Sequence, residues 1–358
     1  MGGNFASDEE DQWLDEDSEA AMRAVVPGWM GARSLALYAR WWQLETWLRE
    51  LIYVELRATF GVKWEDVVKA ATGRKNADAS FTHMSGPDNG NPLAYLDYSQ
   101  LLEIIDTHWP KFALALIEAN SWKGRQEELK RIRHRIGHLR KPHPDDLSRL
   151  EQTLRDLERG TFVALASYNK RSMPDPRSRS DAVTRGWVAG EHRTAKRLIE
   201  HADRQYETRL RVETSRRPWA SMPTDLTGAE GILWHAEFIM SNRNVDPRTL
   251  WAEIDHGGIR DILVHLVFHD PYSVGFTFAA VDDGDDIADA IGAVFEAILT
   301  TSRPISSHSE VDYRRAQSRA RAIDYRVQSG TGWCVVDETT VPITHFGSGG
   351  GVDSKVIW

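Results

Sequence analysis

The sequence predicts a mixed α+β fold with several domains, in which an all-α helical bundle is followed by a smaller α+β domain. Three observations lead to this fold class. The 358 residues exceed the length of one ordinary domain. Apolar residues in the first half recur at the spacing of amphipathic helices, and the second half adds β-rich runs bounded by turns. A charged stretch with Pro and Ser, at residues 170–180, separates the helical first half from the β-containing second half.

These changes in composition and in the spacing of apolar residues divide the chain into four parts. Residues 1–24 hold eight Asp and Glu between Asp8 and Glu19, which is typical of a disordered tail. This tail either solubilises the protein or covers the basic helix described below. Residues 25–169 are the predicted helical domain, residues 170–180 the linker, and residues 181–358 an α+β domain whose role the sequence does not indicate.

The helical domain is predicted to begin with a long helix over Ser34–Phe60, which a glycine ends. A shorter helix is predicted over Trp64–Ala71, and the Gly-, Asn- and Pro-rich stretch Gly73–Pro92 is predicted to be a loop. Tyr98–Asn120 is predicted to be helical with an interruption at Pro110. After the central basic helix, a helix with a leucine stripe is predicted to be capped by Asp145 and Asp146 and to end at Gly160, before a helix or strand over Phe162–Tyr168.

The second half alternates helical and β-rich patterns. The charged stretch Asp181–Arg216 is predicted to be helical, and Ile232–Met240 fits a helix or a strand. Ile262–His269 and Val274–Val281 are predicted to form a β-hairpin through a turn at Asp270–Ser273. The other predictions are an amphipathic helix over Ile287–Leu299 opened by Asp285 and Asp286, strands over Ile323–Val327 and Trp333–Val336, and a mobile glycine-rich segment over Phe346–Ser354.

Composition favours a cytoplasmic protein. The chain is 41% hydrophobic and 27% charged, and its net charge is -9. The single cysteine, Cys334, excludes an internal disulfide framework and suits a reducing compartment. We find no apolar run that could span a membrane and no signal pattern at the N-terminus, so we expect no membrane partner.

The stretch Gly124–Pro144 is the part of the sequence with the clearest chemistry. Leu129, Ile132 and Ile136 form one buried helix stripe, and Arg133 and its neighbouring histidines lie off that stripe. From residue 123 to residue 141 there are eight Lys and Arg against two Glu. A local basic patch on an acidic chain predicts a binding site for a polyanion.

Arg133 and His138 suit the cleavage of RNA by its own 2'-hydroxyl group. Histidine exchanges protons near neutral pH, and arginine stays charged and fits phosphate oxygens. His134 and His138, four residues apart, share a helix face, whereas Arg133 and His138, five apart, do not. The pair therefore requires a bend near Gly137 or a second copy of the helix.

Three segments resemble the HEPN ribonuclease superfamily. Arg133, followed by a polar residue at position 134, three more residues and then His138, resembles the Arg-x4-His signature of that superfamily. Trp42–Ile52, with Glu45 and Arg49, resembles the first long helix of the larger branch of that superfamily. Tyr95–Ile105, followed by His108, Trp109 and Phe112, resembles its middle segment. The resemblance covers roughly residues 30 to 165. His134 departs from it, because that position is commonly Asn or another small polar residue.

The resemblance implies an all-α HEPN-like bundle that pairs as a homodimer and cuts RNA without a metal or other cofactor. We expect Arg133, His138 and His134 to be catalytic. In this reading His138 handles the 2'-hydroxyl proton, and His134 orients the substrate or serves the leaving group. The product would end in a 2',3'-cyclic phosphate. The expected substrate-binding residues are Arg131, Arg135, Arg140 and Lys141.

Such a protein would act as a growth-arrest toxin or a phage-defence effector. Its α+β domain could sense a trigger, bind an antitoxin or grip the substrate. The alternative function is a non-catalytic HEPN-type module that binds RNA or a nucleotide and mediates dimerisation.

A metal-dependent hydrolase is a third hypothesis, because His134 and His138 have the H-x-x-x-H spacing of zinc ligands. The residue after the first histidine is Arg135 instead of the usual Glu, and a cation site among arginines is electrostatically poor. His265 and His269 would lie about 13 Å apart on a strand, too far to share one metal, and are expected to be surface or half-buried histidines.

Overall fold

The computed structural model describes residues 20, 32–80, 90–138, 140–256, 258–270, 272–304 and 323–329. Helices make up the first half of this part of the chain, and a five-stranded sheet with further helices makes up the second half. The predicted mixed α+β class is confirmed, whereas a HEPN-like identity of the helical half stays a prediction. The acidic tail at residues 1–24, Cys334, the strand predicted at 333–336 and the glycine-rich segment at 346–354 lie outside the described residues.

The helical half is built on one long helix. Its buried residues include Leu44, Leu48 and Leu51, which recur at helical spacing. This helix ends before Gly61, whose φ of 55° is the left-handed conformation that favours glycine. The helices are α1 (Ala32–Phe60), α2 (Lys69–Ala79), α3 (Tyr98–Thr107), α4 (Trp109–Phe112), α5 (Ala119–Gly137) and α6 (Asp146–Asn169), with 3-10 segments at Gly61–Val68 and Pro92–Tyr95.

Two predicted breaks in the helical half are wrong. The predicted loop Gly73–Pro92 begins too early, because α2 runs through Gly73 to Ala79. Helix α6 also runs through Gly160. A Cβ atom at Gly160 would lie only 2.3 Å from the carbonyl oxygen of Ala115. Gly160 is therefore a point of close approach between two backbones inside a helix, and not the end of one.

The second half centres on a sheet with the strand order β1–β2–β5–β4–β7. All neighbours are antiparallel except β4 and β7, which are parallel. Two-residue strands β3 and β6 pair separately. The strands are β1 (Thr208–Arg216), β2 (Ile232–Met240), β3 (Arg243–Asn244), β4 (Leu263–Asp270), β5 (Ser273–Ala279), β6 (Arg303–Pro304) and β7 (Val327–Ser329), and the helices are α7 (Ala195–His201), α8 (Pro247–His256) and α9 (Gly284–Thr301).

The hairpin predicted from the two β-rich runs is confirmed as β4 and β5, and the ambiguous stretch Ile232–Met240 is the strand β2. The helix predicted over Asp181–Arg216 is partly wrong, because its last nine residues form β1. Charged residues alternate with less exposed ones along β1, as expected of an edge strand. The helix α9 is capped by Asp283 rather than by Asp285 or Asp286, since the Asp283 carboxylate accepts hydrogen bonds from the amides of both.

Helix α1 packs its buried polar side chains against the sheet. Glu55 and Arg217 form an ion pair with a 2.6 Å contact, and their side chains are 1% and 0% exposed. Tyr53 donates a hydrogen bond to the carbonyl of Val264 (2.8 Å), and Arg57 donates to the carbonyl of Ile262 (2.8 Å). The helical half and the sheet therefore share a hydrogen-bonded contact layer, although the division at residues 170–180 stays a prediction.

We predict that Gly160→Ala destabilises the protein by about 1–3 kcal/mol, because the added methyl group would collide with the backbone at Ala115. Gly124→Ala is the matched control, since a Cβ at Gly124 in α5 meets nothing within 4 Å. It should stabilise the protein by about 0.5–1 kcal/mol, because alanine favours a helix. Urea unfolding of both variants measures these changes. Equal effects of the two substitutions would contradict the close approach at Gly160.

Candidate functional site

The candidate site lies on α5. Its start is capped by Glu118, whose carboxylate accepts hydrogen bonds from the amides of Asn120 and Ser121, both at 3.0 Å. Leu129 and Ile132 are buried, as the apolar stripe predicted. The opposite face, which carries the cations, is exposed to solvent.

Contacts with α3 and α6 hold α5 in place. The hydroxyl of Tyr98 in α3 donates a hydrogen bond to the side-chain oxygen of the buried Gln126. Tyr98 also packs on Trp41 of α1, with ring centroids 4.8 Å apart. Arg125 of α5 forms a 2.8 Å ion pair with Asp156 of α6. These contacts fix the buried face of α5 and leave its cationic face open.

A shallow depression of about 490 Å³ lies beside this cationic face. An open, basic concavity of this kind suits an extended polyanion better than an enclosed small molecule. His138 and Lys141 are exposed but are not among the residues that line it. The predicted site residues that line it are Arg131, Arg133, His134, Arg135 and Arg140, together with Tyr98, Ser99, Glu127 and Lys130, which the sequence analysis did not assign to the site.

His134 and His138 are in ring contact at the end of α5. Their ring centroids lie 4.3 Å apart and their planes meet at 67°. The nearby charge of His138 is the largest cause of a lowered pKa for His134, followed by desolvation and by the charges of Arg140 and Arg133. The predicted shared face of the two histidines is therefore present, and His134 favours its neutral form.

The side chain of Arg133 reaches the last turn of α5. The helix continues unbroken to Gly137, and the His138 amide still donates to the carbonyl of His134 at 3.2 Å. The Nη1 atom of Arg133 lies 3.7 Å from the place where a Cβ at Gly137 would be. The missing side chain at Gly137 leaves this surface open to the guanidinium group.

Arg135 is held by a carboxylate within the chain. Its Nε donates to Asp146 Oδ2 at 2.8 Å, and its Nη2 donates to the other oxygen of the same carboxylate. Asp146 also accepts a hydrogen bond from the amide of His143, so this carboxylate ties the end of α5 and the segment after it to the start of α6. The predicted side-chain cap by Asp145 is not formed. Arg135 thus lines the depression with a charge that Asp146 already offsets.

A buried layer of polar side chains, not predicted from the sequence, lies on the α1-facing side of the sheet. The hydroxyl of Tyr168 contacts His265 Nδ1 at 2.8 Å and donates to Thr277 Oγ1 at 2.9 Å. Thr277 Oγ1 lies 3.1 Å from His235 Nδ1, and His235 Nε2 lies 2.7 Å from Ser215 Oγ. Polar residues that share one face of each strand were the signal for this layer: His235 and Glu237 in β2, His265 and His269 in β4, and Ser273 and Thr277 in β5.

His265 is only 2% exposed, so the expectation of a surface or half-buried histidine is wrong for it. The expectation holds for His269, which is half-buried. Hydrogen bonding within the polar layer explains how a histidine is accommodated at the buried position.

Comparison with models of protein families, with curated proteins and with solved structures finds no match. None of the helices in the described ranges combines the length and apolar character that a membrane crossing requires. Within the same ranges, no group of three or more His, Cys, Asp or Glu is arranged to hold a metal ion.

We predict that the free energy of unfolding falls as the pH drops from about 6.5 towards about 4. Burial is the main cause that lowers the pKa of His269 to about 4, with Arg171 contributing. The unfolded chain takes up a proton at its ordinary pKa, whereas the folded chain does so only near pH 4, so acid favours unfolding. His269 alone should contribute a loss of about 3 kcal/mol across this interval.

Urea unfolding of the wild type and of His269→Gln at pH 4.5, 5.5, 6.5 and 7.5 measures this loss. Any packing defect in the variant shifts its free energy of unfolding by the same amount at every pH. Loss of the His269 titration instead changes the slope of the free energy of unfolding against pH below pH 6.5. Parallel pH curves for the two proteins would contradict the assigned role of His269.

Proposed function

We propose that this protein is a metal-independent endoribonuclease whose active site lies at the C-terminal end of α5. The observation that carries the proposal is the contact between His134 and His138. Arg133 and His134 line the exposed cationic depression, and this contact holds the exposed His138 next to it. Two imidazoles in contact resist protonation together, so there is a pH range in which one is neutral and the other charged. Such a pair can supply a base and an acid to one reaction.

The proposed reaction is an internal transfer within the RNA strand. The 2'-hydroxyl oxygen attacks the neighbouring phosphorus, and the bond from phosphorus to the 5'-oxygen of the next nucleotide breaks. The neutral imidazole accepts the 2'-hydroxyl proton, and the protonated imidazole gives a proton to the departing 5'-oxygen. The products are a 2',3'-cyclic phosphate and a 5'-hydroxyl group, and the requirement for the 2'-hydroxyl restricts the substrate to RNA.

We assign the base role to His134 and the acid role to His138. His134 lines the depression, and its lowered pKa keeps it neutral near pH 7. This assignment exchanges the two roles expected from the sequence, in which His138 handled the 2'-hydroxyl proton. Arg133 stabilises the negative charge that develops on the phosphate oxygens, since a guanidinium stays charged and donates several hydrogen bonds.

The remaining cations of α5 and the segment after it hold the RNA backbone. Arg131 and Arg140 line the depression and are exposed, and Lys141 is exposed immediately after Arg140. Arg135 contributes mainly by fixing the end of α5 through Asp146, because its charge is already paired. Phosphate contacts of this kind give salt-dependent, sequence-independent affinity.

A homodimer is part of the proposal. Two-fold pairing of α5 would bring both histidine pairs to one groove and double its positive charge. In the cell, the protein would act in the cytoplasm as a toxin or a phage-defence effector. The α+β half would contact an antitoxin or a trigger.

The test is cleavage of single-stranded RNA in EDTA by the wild type and by Arg133→Ala, His134→Ala and His138→Ala. The wild type should cut, and each variant should lose about 100-fold or more in rate. General acid–base groups contribute about 10²–10⁴-fold, and a donor that stabilises developing charge contributes about 10²–10³-fold. Electrophoresis of end-labelled RNA measures the rates. A dilution series of the wild type in the same assay should show a falling rate per subunit once the dimer dissociates.

His143→Ala is the matched control, since His143 is an exposed histidine in the segment that follows α5 and is not among the residues that line the depression. It should cut at the rate of the wild type. If the wild type binds RNA but leaves it intact, the non-catalytic binding module replaces the ribonuclease. Cleavage that disappears in EDTA would favour a metal-dependent hydrolase instead.

A further inference from the structure

A second cavity lies at the opposite end of α6 from the depression on α5. It has a volume of about 230 Å³ and is bounded by the end of α6, the segment that follows it and β1. Helix α6 has 24 residues, so its ends are about 36 Å apart at about 1.5 Å per residue. Asp146 at its first turn braces α5, whereas Ser167 and Lys170 at its other end line the cavity. The two sites are therefore distinct.

Three cationic side chains and no carboxylate line this cavity. Arg171 is largely buried and forms a 3.1 Å ion pair with Glu237. Arg216 is exposed and is held by a 2.9 Å hydrogen bond from its Nη1 to the carbonyl of Ala220. Lys170 is exposed, and its ammonium forms no ion pair with any residue that the structure describes. The excess positive charge and the fixed guanidinium groups favour an anion with several oxygen atoms.

The backbone around the cavity is fixed by pairing with β1. The amide of Ser172 donates to the carbonyl of Thr214 at 2.9 Å, and the amide of Thr214 donates to the carbonyl of Ser172 at 2.8 Å. Ser215, which is 2% exposed, contributes a hydroxyl that contacts His235 Nε2 at 2.7 Å. The Ser215 hydroxyl is therefore used inside the protein, whereas the hydroxyl of the exposed Ser172, on the same fixed backbone, adds a neutral hydrogen-bond donor next to the cations.

One wall of the cavity is apolar. Pro218, Met222 and Ile232 line it, and the Met222 side chain is 60% exposed although it is large and hydrophobic. A methionine thioether packs readily on flat rings. A ligand that uses both walls carries an anionic group and an apolar part, and a nucleotide has both in its phosphate and its flat base.

We infer that this cavity binds a nucleotide, with its phosphate at Lys170 and Arg216 and its base against Met222. The nucleotide is either a free mononucleotide or one residue of an RNA strand, since both present the same phosphate and base. The volume of about 230 Å³ lies somewhat below the range of about 300–1,000 Å³ typical of pockets for drug-sized ligands, so one nucleotide is the largest ligand that we assign to the cavity. This inference concerns binding and does not depend on RNA cleavage at α5.

Isothermal titration of the full chain with adenosine monophosphate, inorganic phosphate and a short single-stranded RNA tests the inference. The protein carries His134→Ala, so that the RNA stays intact whether or not α5 cleaves it. Adding Lys170→Ala and Arg216→Ala together should weaken nucleotide binding about tenfold or more, because two charge-assisted contacts are lost. Adding Lys196→Ala and Arg209→Ala together is the matched control. It removes two exposed cations that do not line the cavity and should leave nucleotide affinity unchanged.

Ser172→Glu is a second variant, because Arg216→Ala also removes the hydrogen bond to Ala220. Ser172 is exposed, so the substitution places a carboxylate at the cavity without disturbing the core, and a melting curve verifies the fold. Binding of adenosine monophosphate that both cavity variants weaken supports a free nucleotide. Binding of RNA alone, weakened by the same variants, supports a nucleotide within RNA. Absence of binding by all three ligands, or equal affinity in the cavity variants and the control, overturns the inference.

Discussion

The buried ion pair between Glu55 and Arg217 joins α1 to the segment between β1 and β2, and so fixes the helical half on the sheet. Both side chains are shielded from water, and either charge alone at this position would destabilise the fold by about 3–5 kcal/mol. Trp219 donates a 2.6 Å hydrogen bond to Glu55, and Arg217 donates to the hydroxyl of Ser167, so the remaining hydrogen-bonding capacity of the pair is largely used. Helix α1 therefore docks in one register, which also fixes its aromatic contact with Tyr98 beside α5.

The two faces of the sheet serve different purposes. The face towards α9 is apolar, with Phe238, Phe276 and Phe295 in contact. The face towards α1 carries the hydrogen-bonded layer that runs from Ser215 through Tyr168 to His265. Buried polar groups of this kind stabilise a fold only when their partners are all in place, so they favour one arrangement of helix and sheet over others of similar packing.

Local patterns were enough to predict the mixed α+β class, the long helix α1, the β4–β5 hairpin and the cationic face of α5. What they missed depended on distant partners. The local sequence predicts a helix end at Gly160, because it does not show that Ala115 lies against this glycine. It also predicts a helix in the charged run before Arg216, because it does not show that β2 pairs with this run. The candidate site follows the same rule, since its local features were predictable and its long-range contacts were not. The spacing of His134 and His138 gives their shared face, whereas the pairing of Arg135 with Asp146 requires the fold.

We propose that a pair of histidines in contact, flanked by arginine, cuts RNA through its own 2'-hydroxyl group. The most direct measurement uses an oligoribonucleotide that carries a single 2'-O-methyl group at a mapped cleavage position, incubated with the protein in EDTA and analysed by mass spectrometry. We expect loss of cleavage at that position alone, with 2',3'-cyclic phosphate ends at the unmodified sites. Cleavage at the methylated position, or products with 5'-phosphate ends, would contradict it.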